Sequence, residues 1–207
     1  MIAIVDYGMG NLKSVLNAFL YCGANAVITN DKNDLEKATH IIIPGVGAFE
    51  KCVTNLKQLD TFSTLEYQVK VEKKPTLGIC VGLQMMATLG HENGLNNGLN
   101  WLESEVVKIE SDEDNLKVPN IGWNETSIIQ NDHFVLKGIK NAQDFYYVHS
   151  YYMKCKNESD IAMNYKYGNL EITAAIAFQN IFATQFHPEK SQDNGLKLID
   201  NFIKWNP

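Results

Sequence analysis

The stretch TLGICVGLQ at residues 76–84 is the most informative about the fold. It predicts a strand, a tight turn and the start of a helix, which is the repeating unit of an α/β protein. Its G-x-C-x-G core places Cys80 between Gly78 and Gly82 and has the form of a nucleophile elbow. Cys80 would begin the helix, whose positive end favours the reactive thiolate, and the Val81 N–H would face an oxyanion formed there. A small buried cysteine between two packing glycines would give the same pattern.

Around this elbow the first half of the chain alternates between short apolar runs and helical spacing. The predicted strands are Ile2 to Val5, Ala26 to Thr29, His40 to Ile43 and Thr76 to Ile79, and the predicted helices are Leu12 to Cys22, Asp34 to Ala38, roughly Cys52 to Lys73 with a break, and Val81 to Leu89. This alternation predicts a parallel sheet covered by helices on both faces. Ligands of such sheets bind beyond the carboxyl ends of the strands, which here are Asp6 to Asn11, Pro44 to Gly47, and Cys80.

The second half is richer in strands. We predict them at Glu105 to Glu110, Glu125 to Ile129, Phe145 to Val148, Ile161 to Tyr165, Ile172 to Phe178 and Ile181 to Phe186. A hairpin turn is expected at Gln179-Asn180, a loop at Ser111 to Asn115, and a closing helix at Leu196 to Trp205. We therefore expect one α/β domain over residues 1–207, with a central mostly parallel sheet and an antiparallel extension.

Composition narrows the class of protein. A chain of 207 residues suits one domain, and its net charge of −6 argues against a nucleic-acid binder, which needs a basic face. The four cysteines are scattered without a CxxC pair, so we expect no metal site, and Cys22, Cys52 and Cys155 are expected to be small buried residues. The N-terminus lacks the features of a signal peptide, which favours a cytoplasmic protein with reduced thiols.

A cysteine nucleophile needs a base, and His187 is the leading candidate among five histidines. His187 precedes Pro188, which holds it extended, and Glu189 lies two residues on, where it could orient the ring. A strand-end histidine beside a solvated glutamate is the structural alternative. His149 is a second candidate, which is better explained as a structural or substrate-lining residue.

Two glycine loops follow predicted strands. The loop Pro44-Gly45-Val46-Gly47 can turn backbone N–H groups toward a ligand, as an oxyanion hole requires. The loop Asp6 to Asn11 does not match G-x-G-x-x-G, because Lys13 stands where the third glycine belongs, so nucleotide binding is not expected there.

Three motifs in this order resemble the class I glutamine amidotransferases: PGVG at residues 44–47, GICVGLQ at 78–84 and FHPEKS at 186–191. The segments IAIVDYGMGNLKSV, VPNIGWN and FYYVHSYY are similar, more narrowly, to those of the glutaminase subunits of imidazole glycerol phosphate synthases. This resemblance covers nearly the whole chain. Asn120 departs from it, since the family usually has histidine there, and Val81 and Leu83 are conservative changes within the elbow.

The resemblance implies a flavodoxin-like glutaminase fold, no cofactor, and ammonia transfer from glutamine to a cyclase barrel that makes imidazole glycerol phosphate and AICAR in histidine biosynthesis. The implied catalytic triad is Cys80, His187 and Glu189. The implied oxyanion donors are Val46, Gly47 and Val81, and the implied glutamine contacts are Gly47, Gln84, Ser150 and Tyr151. The implied docking residues for the cyclase are Asn11, Gly122, Trp123, Tyr146 and Lys190.

Other functions remain open at this point. Relatives of these subunits supply ammonia for an amidine in surface-sugar pathways, and the sequence does not separate the two. A stand-alone cysteine hydrolase of similar fold, or a binding module without activity, would also carry much of this pattern.

Overall fold

A computed structural model describes residues 1–110 and 116–207 of the chain, so the loop expected at Ser111 to Asn115 lies outside the described residues. The strands are β1 (Ile2–Val5), β2 (Ala26–Thr29), β3 (His40–Gly45), β4 (Thr76–Cys80), β5 (Ala87–Gly90), β6 (Asn96–Asn97), β7 (Leu102–Lys108), β8 (Asn120–Ile128), β9 (Gln143–His149), β10 (Tyr151–Cys155), β11 (Ile161–Tyr167), β12 (Leu170–Phe178) and β13 (Ile181–Thr184). The helices are α1 (Leu12–Tyr21), α2 (Lys32–Lys37), α3 (Phe49–Lys57), α4 (Phe62–Lys70), α5 (Val81–Met85) and α6 (Gln192–Lys204).

A nine-stranded sheet organises the fold, in the order β2-β1-β3-β4-β13-β12-β11-β8-β9. The first five of these strands are parallel, and counted among themselves they follow the 2-1-3-4-5 order of flavodoxin-like sheets. The last four are antiparallel. The α/β class and the antiparallel extension predicted from the sequence are therefore confirmed.

The parallel strands are apolar because both faces of the sheet are covered. Every residue of β1, β4 and β13 is buried, and these short, continuous hydrophobic runs are what made the strands visible in the sequence. Among the described residues, no helix is both long and apolar enough to cross a membrane.

A second, smaller sheet has the strand order β10-β7-β5-β6. The largest differences between the predicted and the observed secondary structure lie in this sheet. The helix expected at Val81 to Leu89 ends at Met85, because Ala87–Gly90 pairs with β6 and β7 instead. Backbone N–H groups of Trp101 and Leu102 bond the Met86 carbonyl, so long-range pairing overrides the local helical pattern. Strand β10 was also missed.

The boundaries of several strands differ from those predicted from the sequence. Strand β3 continues through Pro44 to Gly45, where it pairs with β4, rather than ending at Ile43. Strand β8 begins at Asn120 rather than Glu125, because residues 120–124 pair with β9. Strand β7 spans Leu102–Lys108 rather than Glu105 to Glu110.

Helix α6 closes the core, and its contribution can be measured at Phe202. This side chain is fully buried, with its ring centroid 6.4 Å from that of Phe19 and 6.0 Å from that of Trp205. We expect Phe202→Ala to lower the free energy of unfolding by about 3–5 kcal/mol, because it removes a buried aromatic ring and leaves a cavity. Tyr21→Ala, at a position 80% exposed, should change it by less than about 0.5 kcal/mol. Equal losses in urea unfolding would contradict this assignment of the core.

Candidate active site

Cys80 occupies a strained turn between β4 and α5. Its backbone has φ 55° and ψ −110°, although it is not a glycine. Such conformations persist only where the surroundings impose them, and they concentrate at functional sites. Strand β4 is entirely buried and fixes the backbone that enters the turn. Because β4 ends at Cys80, this residue lies at the carboxyl edge of the sheet.

Close backbone contact holds the elbow against β3. A Cβ on Gly82 would lie 1.8 Å from the carbonyl oxygen of Ile43, and one on Gly45 would lie 2.8 Å from the backbone nitrogen of Gly82. Only glycine fits at position 82, since the Ile43 carbonyl belongs to a central strand. Gly45 pairs in register with Cys80, which brings the loop after β3 beside the cysteine.

His187 and Glu189 form a buried pair just beyond β13. The distance from His187 Nδ1 to Glu189 Oε1 is 2.8 Å, and the two side chains are 2% and 1% exposed. The backbone of His187 is fixed as well, because its N–H donates to Tyr146 O and the Ser191 hydroxyl donates to its carbonyl. The ring can therefore rotate little, as a positioned base requires.

The second ring nitrogen of His187 has no hydrogen-bond partner, and Cys80 is among the groups that interact with the ring. In the described part of the chain, His187 Nε2 and Glu189 Oε2 are the buried side-chain polar atoms that lack a partner. Buried unpaired polar atoms are rare in folded proteins, and a role in binding or catalysis is one reason to retain them. The arrangement leaves Nε2 available to exchange a proton.

The electrostatic environment favours a charged His187. Burial by itself lowers the pKa of this imidazole, but the interactions with Cys80 and Glu189 outweigh burial and raise the pKa above its ordinary value. The geometry thus suits an imidazolium that is held by a carboxylate and lies beside a cysteine.

A single pocket collects the residues that the sequence singled out. It has a volume of about 230 Å³ and lies over Cys80 at the edge of the sheet. Its lining residues are Val46, Gly47, Cys80, Val81, Gln84, Glu92, Val148, His149, Ser150, Tyr151 and His187. The structure therefore brings together every residue expected to contact glutamine or an oxyanion.

Gln84 forms part of the pocket wall through fixed hydrogen bonds. Its Nε2 donates to the carbonyl of Tyr151 at 2.7 Å and to Gln185 Oε1 at 3.0 Å. Both amide hydrogens are used, so the amide oxygen of Gln84 is the group left for a ligand.

Two residues near Cys80, Gln185 and Glu92, are not predicted from the sequence. Gln185 is fully buried and places its Nε2 3.7 Å from Cys80 Sγ. Its position two residues before His187 on the same strand end was an available signal. Glu92 lines the pocket, and its Oε2 accepts a 2.6 Å bond from the N–H of Phe49. No pattern in the sequence marks Glu92, because strand pairing around β5 brings it there.

The residues expected to dock a partner lie mostly together. Trp123 is 45% exposed and meets Tyr146 edge to face at 5.9 Å between ring centroids. Lys190 Nζ lies 5.8 Å from the centre of the Tyr146 ring, and Gly122 precedes Trp123 on β8. Asn11 caps α1, which contacts the turn that carries Lys190.

Comparison with known proteins assigns the class. The model of the family described as "Glutamine amidotransferase class-I" matches residues 3–205. The chain belongs to the class-I glutamine amidotransferase family, as its motifs indicated.

Individual relatives within this family point to one kind of subunit. The chain is 48% identical to "Imidazole glycerol phosphate synthase subunit HisH 1" of Campylobacter jejuni, over 99% of this chain and 100% of the relative. It is 42% identical to "Imidazole glycerol phosphate synthase subunit HisH 2" of Pseudomonas aeruginosa, over 99% of each chain.

Solved structures agree on the fold. The "putative gmp synthase subunit a protein" of Thermoplasma acidophilum superposes with a TM-score of 0.72 at 20% identity, covering 98% of this chain and 92% of that one. PurLQS from Thermotoga maritima gives a TM-score of 0.71 at 15% identity, covering 98% and 97%.

The charge on Glu189 can be tested through the titration of His187. Glu189→Gln keeps a hydrogen-bonding side chain but removes the charge, so the pKa of His187 should fall from its raised value. Nuclear magnetic resonance of chain labelled at its histidines would follow the ring directly. Glu105→Gln, which alters the carboxylate 2.9 Å from the exposed His91, should leave the titration of His187 unchanged. An unchanged pKa in the Glu189 variant would show that the pair does not set the charge of the ring.

Proposed function

We propose that this chain is a glutaminase subunit that hydrolyses L-glutamine to glutamate and ammonia and passes the ammonia to a cyclase partner. That partner would use it to make imidazole glycerol phosphate and AICAR in histidine biosynthesis. One observation carries the proposal: Cys80 shares a pocket with the buried His187–Glu189 pair, in a chain 48% identical along its length to a relative named as a synthase subunit.

Cys80 is the proposed nucleophile and His187 the proposed acid and base. The thiolate attacks the amide carbon of glutamine, and the imidazolium of His187 donates a proton to the departing ammonia. Neutral His187 then takes a proton from water, which attacks the glutamyl thioester and releases glutamate. Glu189 holds the ring by accepting from Nδ1–H, so that Nε2 is the atom that exchanges the proton.

The pocket supplies groups for the other parts of glutamine. We assign the oxyanion to the backbone N–H groups of the Val46-Gly47 turn and Val81, which adjoin the nucleophile. The free amide oxygen of Gln84 and the carboxylate of Glu92 suit the ammonium of the substrate. Ser150 and Tyr151 offer backbone N–H and hydroxyl donors to its carboxylate.

A partner surface completes the proposal. Residues 1–207 would form one glutamine amidotransferase domain in the cytoplasm, docked on a cyclase barrel as a heterodimer. Free ammonia is protonated in water and loses its nucleophilicity, so a dry path between the subunits is required. Ile121 and Trp123 on β8 are exposed, and Trp123 packs against Tyr146, so this surface has the exposed aromatic character that is enriched at interfaces.

Covalent capture tests the nucleophile. A diazo-ketone analogue of glutamine should alkylate Cys80, with loss of dinitrogen, and add the remaining mass of the analogue to the chain, because the pocket would align the reactive carbon with the thiolate. Cys80→Ser should abolish the adduct, while Cys22→Ser should retain it, since Cys22 lies on the far end of α1 and does not line this pocket. Mass spectrometry of a protease digest locates the label. Labelling of another cysteine, or none, would contradict the assignment.

The docking surface is tested by a single truncation. Trp123→Ala should weaken cyclase binding by about 2 kcal/mol or more, as loss of a central interface aromatic does. Tyr67→Ala, at a position 50% exposed on α4, should leave affinity within about 0.5 kcal/mol. Calorimetric titration with the cyclase measures both. Equal affinities for the two variants would move the interface elsewhere.

A further inference from the structure

A buried chain of side-chain hydrogen bonds runs from β8 through β11 to the pocket. Asn120 Nδ2 lies 2.9 Å from the Tyr165 hydroxyl, and that hydroxyl lies 2.7 Å from His149 Nε2. His149 Nδ1 lies 2.9 Å from the carbonyl oxygen of Tyr151. Asn120, Tyr165 and His149 are 3%, 1% and 6% exposed, so solvent does not compete for these bonds.

The chemistry of the end groups fixes the direction of every hydrogen in this chain. A carbonyl oxygen only accepts, so His149 must carry its hydrogen on Nδ1 to bond Tyr151. At the other end, Asn120 Oδ1 accepts from Asn124 Nδ2 at 3.4 Å, which leaves Nδ2 of Asn120 to donate to the Tyr165 oxygen. The single hydrogen of Tyr165 then points to His149 Nε2, which can accept only if the ring is neutral.

The surroundings of His149 keep the ring neutral. Burial lowers the pKa of His149 to about 4, the bond to the Tyr151 carbonyl raises it by less, and the nearby charge of His187 lowers it further. The other titratable rings against it are Tyr147 and Tyr165, whose phenols burial keeps protonated by raising their pKa values. His149 therefore remains uncharged where His187 is a cation.

The chain of bonds ends at the point where the backbone crosses between sheets. Strand β9 of the main sheet ends at His149, and β10 of the smaller sheet starts at Tyr151. The Tyr151 carbonyl accepts from both His149 and Gln84, so both of its lone pairs are occupied and its peptide is held. The backbone of Ser150 and Tyr151 forms the pocket wall at this crossing.

We infer that His149, as a neutral imidazole protonated on Nδ1, and Tyr165 are positioning residues that fix the Ser150–Tyr151 backbone for glutamine binding. Neither exchanges a proton in the reaction. The inference rests on the proposed glutaminase function for its kinetic consequence, but the tautomer itself is a property of the free chain.

The tautomer is tested first, on the intact chain labelled with ¹⁵N-histidine. At neutral pH the ring of His149 should show a protonated Nδ1 and a bare Nε2, with its signals identified by their absence from a His149→Gln variant. The long-range N–H correlation pattern distinguishes the two tautomers and the cation. A ring protonated on Nε2, or on both nitrogens, would overturn the inference whatever the chain catalyses.

A matched pair of hydroxyl deletions tests the positioning role. Tyr165→Phe removes the donor to His149, and it should raise KM for glutamine roughly ten-fold with a smaller change in kcat, as loss of one binding-site hydrogen bond does. The pKa of His149 should rise in this variant, because a bond that favours the neutral ring is gone.

Tyr147→Phe is the matched control for Tyr165→Phe. Tyr147 stacks on Tyr165 at 4.3 Å between centroids, but its hydroxyl bonds Thr126 rather than His149. In Tyr147→Phe, the KM for glutamine should stay within about two-fold of the wild-type value, and the pKa of His149 should be unchanged. Equal effects of the two variants, or no effect of Tyr165→Phe, would refute the positioning role. These kinetic measurements use the chain bound to the loaded cyclase. Absence of glutamine hydrolysis by the wild type in that complex would refute the proposed function alone, since the tautomer measurement is independent of it.

Discussion

The contact between the Ile43 carbonyl and Gly82 is the constraint on which the site depends. With room for no Cβ between them, strand β3 and the elbow pack backbone against backbone, and Cys80 is held at positive φ. The same contact sets Gly45 opposite Cys80 and carries the Val46-Gly47 turn to the nucleophile. Because β13 pairs with β4 on the other side, the residues after β13 reach the same edge. Cys80, the Val46-Gly47 turn and His187, the proposed nucleophile, oxyanion turn and base, thus follow three adjacent parallel strands.

Charge is arranged differently at the two histidines of the pocket. His187 has a carboxylate on one nitrogen and the cysteine before the other, which together stabilise a cation despite burial. His149 has a carbonyl on one nitrogen and a phenol on the other, and burial keeps it neutral. Two rings in one pocket therefore serve different purposes because their hydrogen-bond partners differ. In the proposed reaction, His187 exchanges the proton and His149 holds the backbone of the pocket in position.

Sequence alone predicted the parts of the molecule that depend on local pattern. The buried strands of the parallel sheet, the elbow at Cys80 and the His187–Glu189 spacing are short-range features, and all appear in the structure. Features made by distant pairing were not predicted: β5 was assigned to a helix, β10 was missed, and Glu92 reaches the pocket only through the fold of the smaller sheet. Asn120 stood out as a departure from its relatives, but its bond to Tyr165 needed coordinates.

The account is tested most directly by glutamate release from glutamine, measured with the chain alone and with a cyclase carrying its ribonucleotide substrate. A glutaminase subunit that feeds a synthase should be slow alone and strongly stimulated by the loaded cyclase, with release lost in Cys80→Ser. Hydrolysis that the cyclase does not stimulate would contradict the histidine-pathway assignment and favour a surface-sugar relative. No hydrolysis in either state would contradict the roles of Cys80, His187 and Glu189.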